Sequence, residues 1–269
     1  MQLLFDHLVH FLDRAPAEAT EKFRQAGFHA VAGGRHEAWG TWNSLSYFGL
    51  SYVEFLAIEA GELAAQSDNL LIRQLVQDRE LGEGLGQVAL RTQQMDEWAR
   101  KLIEKELIVH GPVVGSRKRE DGSLLSWRML FFEDPKSQLR PPFLIEWQQS
   151  DEERVEDLRK RGIARAHPNQ TSDLRSVGYA VLDLEDAVNT WKRWLDCLVS
   201  GIWMDERLGA RCQALELSGQ RLVLCQPITE GLASQALAAR GQRPFCASFT
   251  GESEGSNELF GATYIRSKQ

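Results

Sequence analysis

The alternation of apolar and polar residues at the start of the chain predicts one strand, one helix and three further strands. The first segment is apolar and rich in branched side chains, as in a buried strand, and the next has apolar residues at helical spacing and ends at Gly27. Glycines at Gly33-Gly34 and Gly49 separate the strands that follow. The predicted elements are a strand at residues 5–12, a helix at 17–26 and strands at 29–31, 43–48 and 51–58.

The same order of elements recurs after a helical connector near residues 70–78. The dipeptide Asp121-Gly122 is a strong signal for a tight hairpin turn between two strands of this second unit. Because a repeated unit places equivalent side chains in equivalent positions, polar residues on corresponding strands should point to the same face of the sheet. The second unit comprises a strand at 85–91, a helix at 95–103 and strands near Val113, at 124–132 and at 142–147.

A charged segment at residues 150–161 follows Trp147 and predicts a helix or linker that ends at Gly162. Beyond it, a strand at 176–182 and a helix at 187–195 begin a third unit, and the remaining strands and helix form an incomplete one. We therefore predict an α+β fold built from repeated βαβββ modules that form cupped mixed sheets. Residues 1–149 would form the paired modules, and residues 150–269 would form the linker and a third, partly degenerate module.

Composition and charge narrow the possible partners. The chain has 269 residues, 43% of them hydrophobic, which is enough for substantial cores. The net charge is -7, and the one basic run, Arg117-Lys118-Arg119, adjoins acidic residues and is typical of a solvated hairpin tip, so nucleic acid is not an expected partner. No signal peptide and no apolar run of roughly 20 residues is present, so we expect a cytoplasmic protein without a membrane partner. The four cysteines form no C-x-x-C pair and favour reduced, buried thiols.

Polar residues occupy corresponding positions in the two units. His7 and Gln87 lie on the first strand of each unit, and Glu54 and Glu146 lie on the last. These positions, with the strings Gly86-Gln87-Val88-Ala89-Leu90 and Phe143-Leu144-Ile145-Glu146, resemble the vicinal oxygen chelate (glyoxalase/bleomycin resistance/dioxygenase) superfamily, in which two modules pair into a cupped sheet. Nearly the whole chain is similar to a bacterial glyoxalase-like family, through residues 33–43, Tyr52-Val53-Glu54 and Pro141-Pro142-Phe143.

The resemblance implies a divalent metal held by His7, Glu54, Gln87 and Glu146. Imidazole, amide and carboxylate ligands suit Zn, Ni, Fe or Mn. Glu54 or Glu146 would then act as the catalytic base beside a carbonyl that the metal polarises, as in a lyase or isomerase that acts on a small oxygenated molecule. The alternatives are structural: either glutamate could pair with an arginine such as Arg91 or Arg128, and His7 could be a hydrogen-bonded core histidine.

Further residues are candidates for binding that molecule. The segment after Gly33-Gly34 would form the lip of a pocket, the tryptophans would form its walls, and an arginine would supply a polar contact. The alternatives are that the glycine-rich segment is only a loop leading into a strand and that the tryptophans only pack in the core. The candidates are His36, Trp39, Thr41, Asn43, Arg91, Trp127 and Trp147. The rival function is a non-catalytic protein that sequesters a drug or metabolite in the same cup. A homodimer also fits the resemblance, since related sites form either within one chain or across a dimer.

Overall fold

The computed structural model of the chain describes residues 1–118 and 123–268; the predicted turn at Asp121-Gly122 lies outside them. Their strands form two sheets of eight strands each. The first sheet contains β1 (Leu4–Leu12), β2 (Val31–His36), β3 (Thr41–Phe48), β4 (Ser51–Ile58), β5 (Gly84–Arg91), β6 (Ile108–Lys118), β7 (Leu124–Glu133) and β8 (Phe143–Trp147). The helices of this half are α1 (Pro16–Gln25), α2 (Gly61–Ala65), α3 (Leu70–Asp78) and α4 (Met95–Glu104).

The first sheet joins two modules through their first strands. Its strand order is β2-β3-β4-β1-β5-β8-β7-β6, with β1 parallel to β4, β5 parallel to β8, and β1 antiparallel to β5. The edge strands β2 and β6 lie against each other, so the sheet curls into a cup. This arrangement confirms the predicted α+β class and the cupped, mixed sheet.

The helix α3 crosses the concave face of this sheet. Asn69 caps its first turn, because the side-chain oxygen accepts a hydrogen bond from the backbone nitrogen of Leu71 at 2.9 Å. Leu71, Ile72 and Leu75 lie on one face of α3 and pack with Val9 of β1 and other concave-face residues. The predicted connector helix therefore fills part of the cup and leaves a separate cavity on either side of it.

The second sheet repeats the pairing with fewer elements. It comprises β9 (Thr171–Ala180), β10 (Leu198–Val199), β11 (Trp203–Asp205), β12 (Ala210–Leu217), β13 (Gln220–Pro227), β14 (Pro244–Gly251), β15 (Gly255–Leu259) and β16 (Ala262–Lys268). The remaining helices are α5 (Asp151–Lys160), α6 (Leu184–Leu195) and α7 (Leu232–Arg240). β9 runs antiparallel to β14, as β1 runs to β5, and β14 continues to β15 and β16 without an intervening helix. The division into domains at residues 149 and 150 stays a prediction.

The convex faces of the two sheets share one core with helices α1, α4 and α6. His10 of β1 lies at this junction, fully buried, with Nδ1 2.5 Å from the Tyr264 hydroxyl and Nε2 2.8 Å from the Phe260 carbonyl oxygen. It faces away from His7, as strand alternation predicts, and its hydrogen bonds are to the second sheet. No helix in the described residues is long and apolar enough to cross a membrane.

Candidate functional site

The concave face of the first sheet holds a narrow cavity beside α3. The space open to the centre of a water-sized sphere is about 50 Å³. Aromatic side chains form much of its wall, and Leu71 and Ile72 of α3 close one side. The aromatic members are Trp39, Tyr47, Tyr52, Trp127, Phe143 and Trp147.

His7 is held in one orientation at this cavity. Its ring stacks on Tyr52 with centroids 4.5 Å apart and meets the edge of Phe143 at 5.5 Å. Its Nδ1 lies 2.7 Å from a carboxylate oxygen of Asp6. The register of β1 against β5 shifts between Phe5 and His7, a bulge that frees Asp6 from the strict alternation of the strand. Two consecutive side chains can therefore interact with each other.

Asp6 is a fully buried anion with three partners. Besides His7, it accepts hydrogen bonds from Trp147 Nε1 at 3.0 Å and from Arg154 Nη1 at 3.2 Å. Burial alone would raise the pKa of Asp6, but the Arg154 charge and the hydrogen bond with His7 outweigh it and hold that pKa well below its usual value. An ionised carboxylate only accepts, so Nδ1 of His7 carries the proton and Nε2 is the nitrogen left for other partners.

Nε2 of His7 faces a second carboxylate, Glu54 of β4. Its distance to Glu54 Oε2 is 3.6 Å, and the other oxygen of Glu54 accepts a hydrogen bond from Asn43 Nδ2 at 2.5 Å. Asn43 Oδ1 in turn accepts from the backbone nitrogen of Gly34 at 2.9 Å. A chain of polar contacts therefore runs from Asp6 through His7 and Glu54 to Asn43.

His36 lies beside this chain against two tryptophans. Its Nδ1 is 3.1 Å from the Thr41 hydroxyl, and its ring packs near Trp39 and Trp127. Burial lowers the pKa of His36, and the nearby Glu54 offsets part of that effect. A neutral ring is therefore favoured at this part of the wall.

Gly33 and Gly34 make room for this site. A Cβ on Gly33 would lie 1.9 Å from Asn43 Oδ1, and one on Gly34 would lie 2.6 Å from Arg117 Cδ. Neither glycine has a positive φ, so what the site requires of them is the absence of a side chain, which allows Asn43 and Arg117 to approach the backbone.

The structure brings seven of the predicted site residues to the cavity, although their roles stay predictions. These are His7, His36, Trp39, Asn43, Glu54, Trp127 and Trp147. Thr41 lies behind His36 as its hydrogen-bond partner. Arg91 lies elsewhere, where it forms an ion pair with Asp151 at 2.9 Å and donates to the Phe5 carbonyl oxygen at 2.7 Å.

Gln87 and Glu146 do not reach the cavity, so the predicted convergence of four ligands is wrong. The amide nitrogen of Gln87 donates to Gln74 of α3 at 3.2 Å and to the Pro141 carbonyl oxygen at 2.9 Å, and its side chain borders the second cavity. In β8, Phe143 and Trp147 face the cup, so Glu146 faces the opposite side, where Arg128 Nε donates to it at 2.7 Å.

The residues present therefore do not fit the metal centre that the resemblance implies. Of the four predicted ligands, only His7 and Glu54 lie together. Across residues 1–118 and 123–268, no three His, Cys, Asp or Glu side chains are grouped so as to hold a metal ion.

The sequence interpretation missed the apolar lining of the cavity apart from its tryptophans, and five polar residues at or behind it: Asp6, Tyr47, Tyr52, Arg117 and Arg154. A charged Asp6 inside an apolar strand was an available signal, because buried carboxylates need partners. Arg117 lines the cavity, which corrects its assignment to a solvated tip; the side chains of Lys118 and Arg119 lie outside the described residues. Arg154 had no distinguishing signal in its charged helix.

Comparison with known proteins identifies relatives of this fold. The model of a family described as a glyoxalase-like domain matches residues 5–195. A hypothetical protein from Staphylococcus aureus is 20% identical, with a TM-score of 0.79, and the match covers 99% of this chain and 100% of that one. A mutant of 4-hydroxymandelate synthase from Streptomyces coelicolor is 11% identical, with a TM-score of 0.59, and the match covers 94% of this chain and 72% of that one.

These structural likenesses, at such low identity, show the fold alone. The comparison with curated proteins gave no match. Members of the superfamily bind small molecules and commonly use divalent metals such as iron or zinc. Because the family match spans more than half of the chain and the paired modules have the expected strand order, this protein belongs to the glyoxalase-like domain family of the vicinal oxygen chelate superfamily.

Proposed function

We propose that the aromatic cavity binds a small oxygenated molecule and that His7 exchanges a proton with it, as an isomerase or lyase. One observation carries this proposal: Asp6 accepts from Nδ1 of His7 and leaves Nε2 at the cavity, 3.6 Å from Glu54. A base oriented by a buried carboxylate is a recurring arrangement for proton transfer.

The proposed step is the removal of a proton from a carbon next to a carbonyl. The C–H bond breaks, the proton goes to Nε2 of His7, and the electron pair moves to the carbonyl oxygen to give an enolate. Asp6 and Glu54 stabilise the resulting imidazolium, since both carboxylates lie against the ring. In a 2-hydroxy carbonyl compound, the hydroxyl proton then moves to the enolate oxygen and His7 returns its proton to the former carbonyl carbon, which completes an isomerisation. In a lyase reaction the enolate instead re-forms its carbonyl, a new C=C bond forms, and the bond to a leaving group on the next carbon breaks.

This step is proposed to proceed without the predicted Zn, Ni, Fe or Mn ion. Catalytic zinc sites have three protein ligands, whereas only His7 and Glu54 of the predicted set line the cavity. Protein purified without added metal should therefore contain far less than one ion per chain, with no further loss in His7→Ala or Glu54→Ala. Elemental analysis of the three proteins measures this, and stoichiometric metal that either substitution removes would contradict it.

His7→Gln is expected to slow proton exchange by about 10²–10⁴-fold, the usual contribution of a positioned acid–base group. NMR can follow the exchange of C–H for C–D in D₂O with a panel of small 2-hydroxy and 2-oxo carbonyl compounds. His110→Gln is the matched control, because His110 is partly exposed, does not line the cavity and pairs with Glu133. If His7→Gln exchanges C–H for C–D as fast as the unaltered protein, the proposal is contradicted.

Sequestration is the second candidate, favoured by the narrow cavity and its aromatic wall, which suit tight binding of an apolar body. Binding of panel compounds without any exchange would support it. The cytoplasmic location and the homodimer stay predictions.

A further inference from the structure

Arg117 of β6 is a half-buried cation without an anionic partner in the described part of the chain. Its side chain lines the cavity, and Nη1 donates to Asn43 Oδ1 at 3.4 Å, a long hydrogen bond. No carboxylate among the described residues forms an ion pair with it. Arg24, Arg73 and Arg100 share this property but do not line the cavity. Other arginines of the first half do have an acidic partner, and these pairs include Arg14–Glu83, Arg35–Glu59, Arg91–Asp151 and Arg128–Glu146.

The fold directs this guanidinium towards the cavity. The edge strands β2 and β6 meet here, and the aliphatic part of Arg117 passes over Gly34, where a Cβ would lie 2.6 Å from Cδ. Asn43 Oδ1 accepts the hydrogen bond from Arg117, and Asn43 Nδ2 donates one to Glu54. Arg117 thus lies at the end of the polar chain that begins at Asp6.

The charge of Arg117 acts on groups inside the cavity. Burial raises the pKa of Tyr47, and Arg154 and Arg117 oppose that rise. Burial lowers the pKa of His36, and Arg117 lowers it further. The guanidinium therefore affects the pKa of two residues, Tyr47 and His36, in different parts of the cavity lining.

The rest of the lining is suited to a flat, apolar body. Tryptophan, tyrosine and phenylalanine rings form much of the wall, and aliphatic side chains such as Leu45, Leu125 and Met129 form much of the remainder. Apart from its histidines, the charged side chains among the described lining residues are Glu54 and Arg117. The Glu54 carboxylate already contacts Asn43 and His7, so the guanidinium of Arg117 is the charged group that still has N–H donors for a ligand.

We propose that the ligand of this cavity is a small aromatic monocarboxylate, with its ring between the aromatic walls and its carboxylate on Arg117. The planar guanidinium matches a carboxylate with two parallel hydrogen bonds. Glu54 disfavours a second negative charge in so small a space. This inference rests on the proposed function in one respect: the same cavity is the ligand site.

The test compares acids with their neutral amides on the full-length chain. The probes are phenylacetate against phenylacetamide and benzoate against benzamide, measured by isothermal titration calorimetry at constant pH and ionic strength. We expect at least one acid to bind about ten- to a hundredfold more tightly than its amide, as for a charge-assisted hydrogen bond. Arg117→Met should remove that preference by weakening the acid alone, and Arg117→Lys should keep part of it.

Arg35→Met is the matched control, because Arg35 lies on the neighbouring β2 and pairs with Glu59 outside the cavity. Equal binding of acid and amide, absence of binding by both acids, or an equal loss of both ligands in Arg117→Met would overturn the inference. The comparison of acid with amide on the unaltered protein stands even where a variant does not fold. An acid preference without proton exchange would overturn only the role of His7, and exchange without an acid preference would overturn only the role of Arg117.

Discussion

Arg154→Met is expected to lower the free energy of unfolding by about 3–5 kcal/mol, the usual effect of removing one partner from a buried ion pair. The side chain of Arg154 is 6% exposed and that of Asp6 is 0% exposed, so the substitution leaves a carboxylate without its cation and without water. The methionine retains much of the apolar contact of Arg154 with the Trp147 ring, so the loss reports mainly on charge. Urea unfolding at neutral pH measures the difference.

Arg159→Met on the same helix is the matched control. Arg159 is exposed, and its replacement should change stability by no more than about 0.5 kcal/mol. The double variant Asp6→Asn with Arg154→Met should regain part of the loss, because no buried charge then remains unpaired. An Arg154→Met protein as stable as the control would show that Asp6 is not a buried, ionised carboxylate, and the assignment of the His7 proton to Nδ1 would fall with it.

Stability is also expected to decrease steeply between neutral pH and about pH 4. Burial lowers the pKa of His10 from its usual 6.5 to about 4, although the hydrogen bond to the Phe260 carbonyl opposes the change. Below pH 6.5, His10 binds a proton in the unfolded chain but stays neutral in the folded protein. The folded state is therefore most stable above pH 6.5, and this stability is lost as the pH falls towards 4. The expected loss is about 3 kcal/mol from His10.

His167 adds to the loss in the same direction. Its Nε2 lies 2.9 Å from the Tyr47 carbonyl oxygen, and burial lowers its pKa to about 4. Unfolding midpoints in urea at a series of pH values from 7 to 4 measure the slope. His10→Gln should flatten the profile, whereas His110→Gln, at a partly exposed position, should leave it unchanged. An unaltered slope in His10→Gln would refute the assignment.

Hydrophobic periodicity was sufficient for the elements and for their repetition. The strand predicted at residues 5–12 and the helix at 17–26 match β1 and α1 within one residue at each end, because the continuous apolar run of a fully buried strand and the one-sided burial of a helix both leave clear patterns. β9 begins at Thr171, earlier than the predicted 176, because pairing with β14 extends it through Asp173 and other polar residues. Local composition cannot reveal such an extension, since the partner strand provides it.

Alternation predicted which residues of a strand share a face, but not which face lines the cup. β1 and β8 are both largely buried on both faces, so burial could not show that His7 points into the cup and Glu146 away from it. Gln87 is separated from His7 by α3, and the position of a connecting helix is a tertiary property. The bulge at Asp6 and the inward course of Arg117 likewise depend on partner strands that lie far away in sequence.

β1 supplies both His7 at the cavity and His10 at the junction of the two sheets, three positions apart on opposite faces. Deleting or inserting a single residue between them would turn one of the two histidines to the wrong side of the sheet. A change of length in this stretch would therefore disrupt either the cavity or the junction of the two sheets. The three-residue spacing therefore places one histidine at the proposed site and the other at the contact between the two sheets.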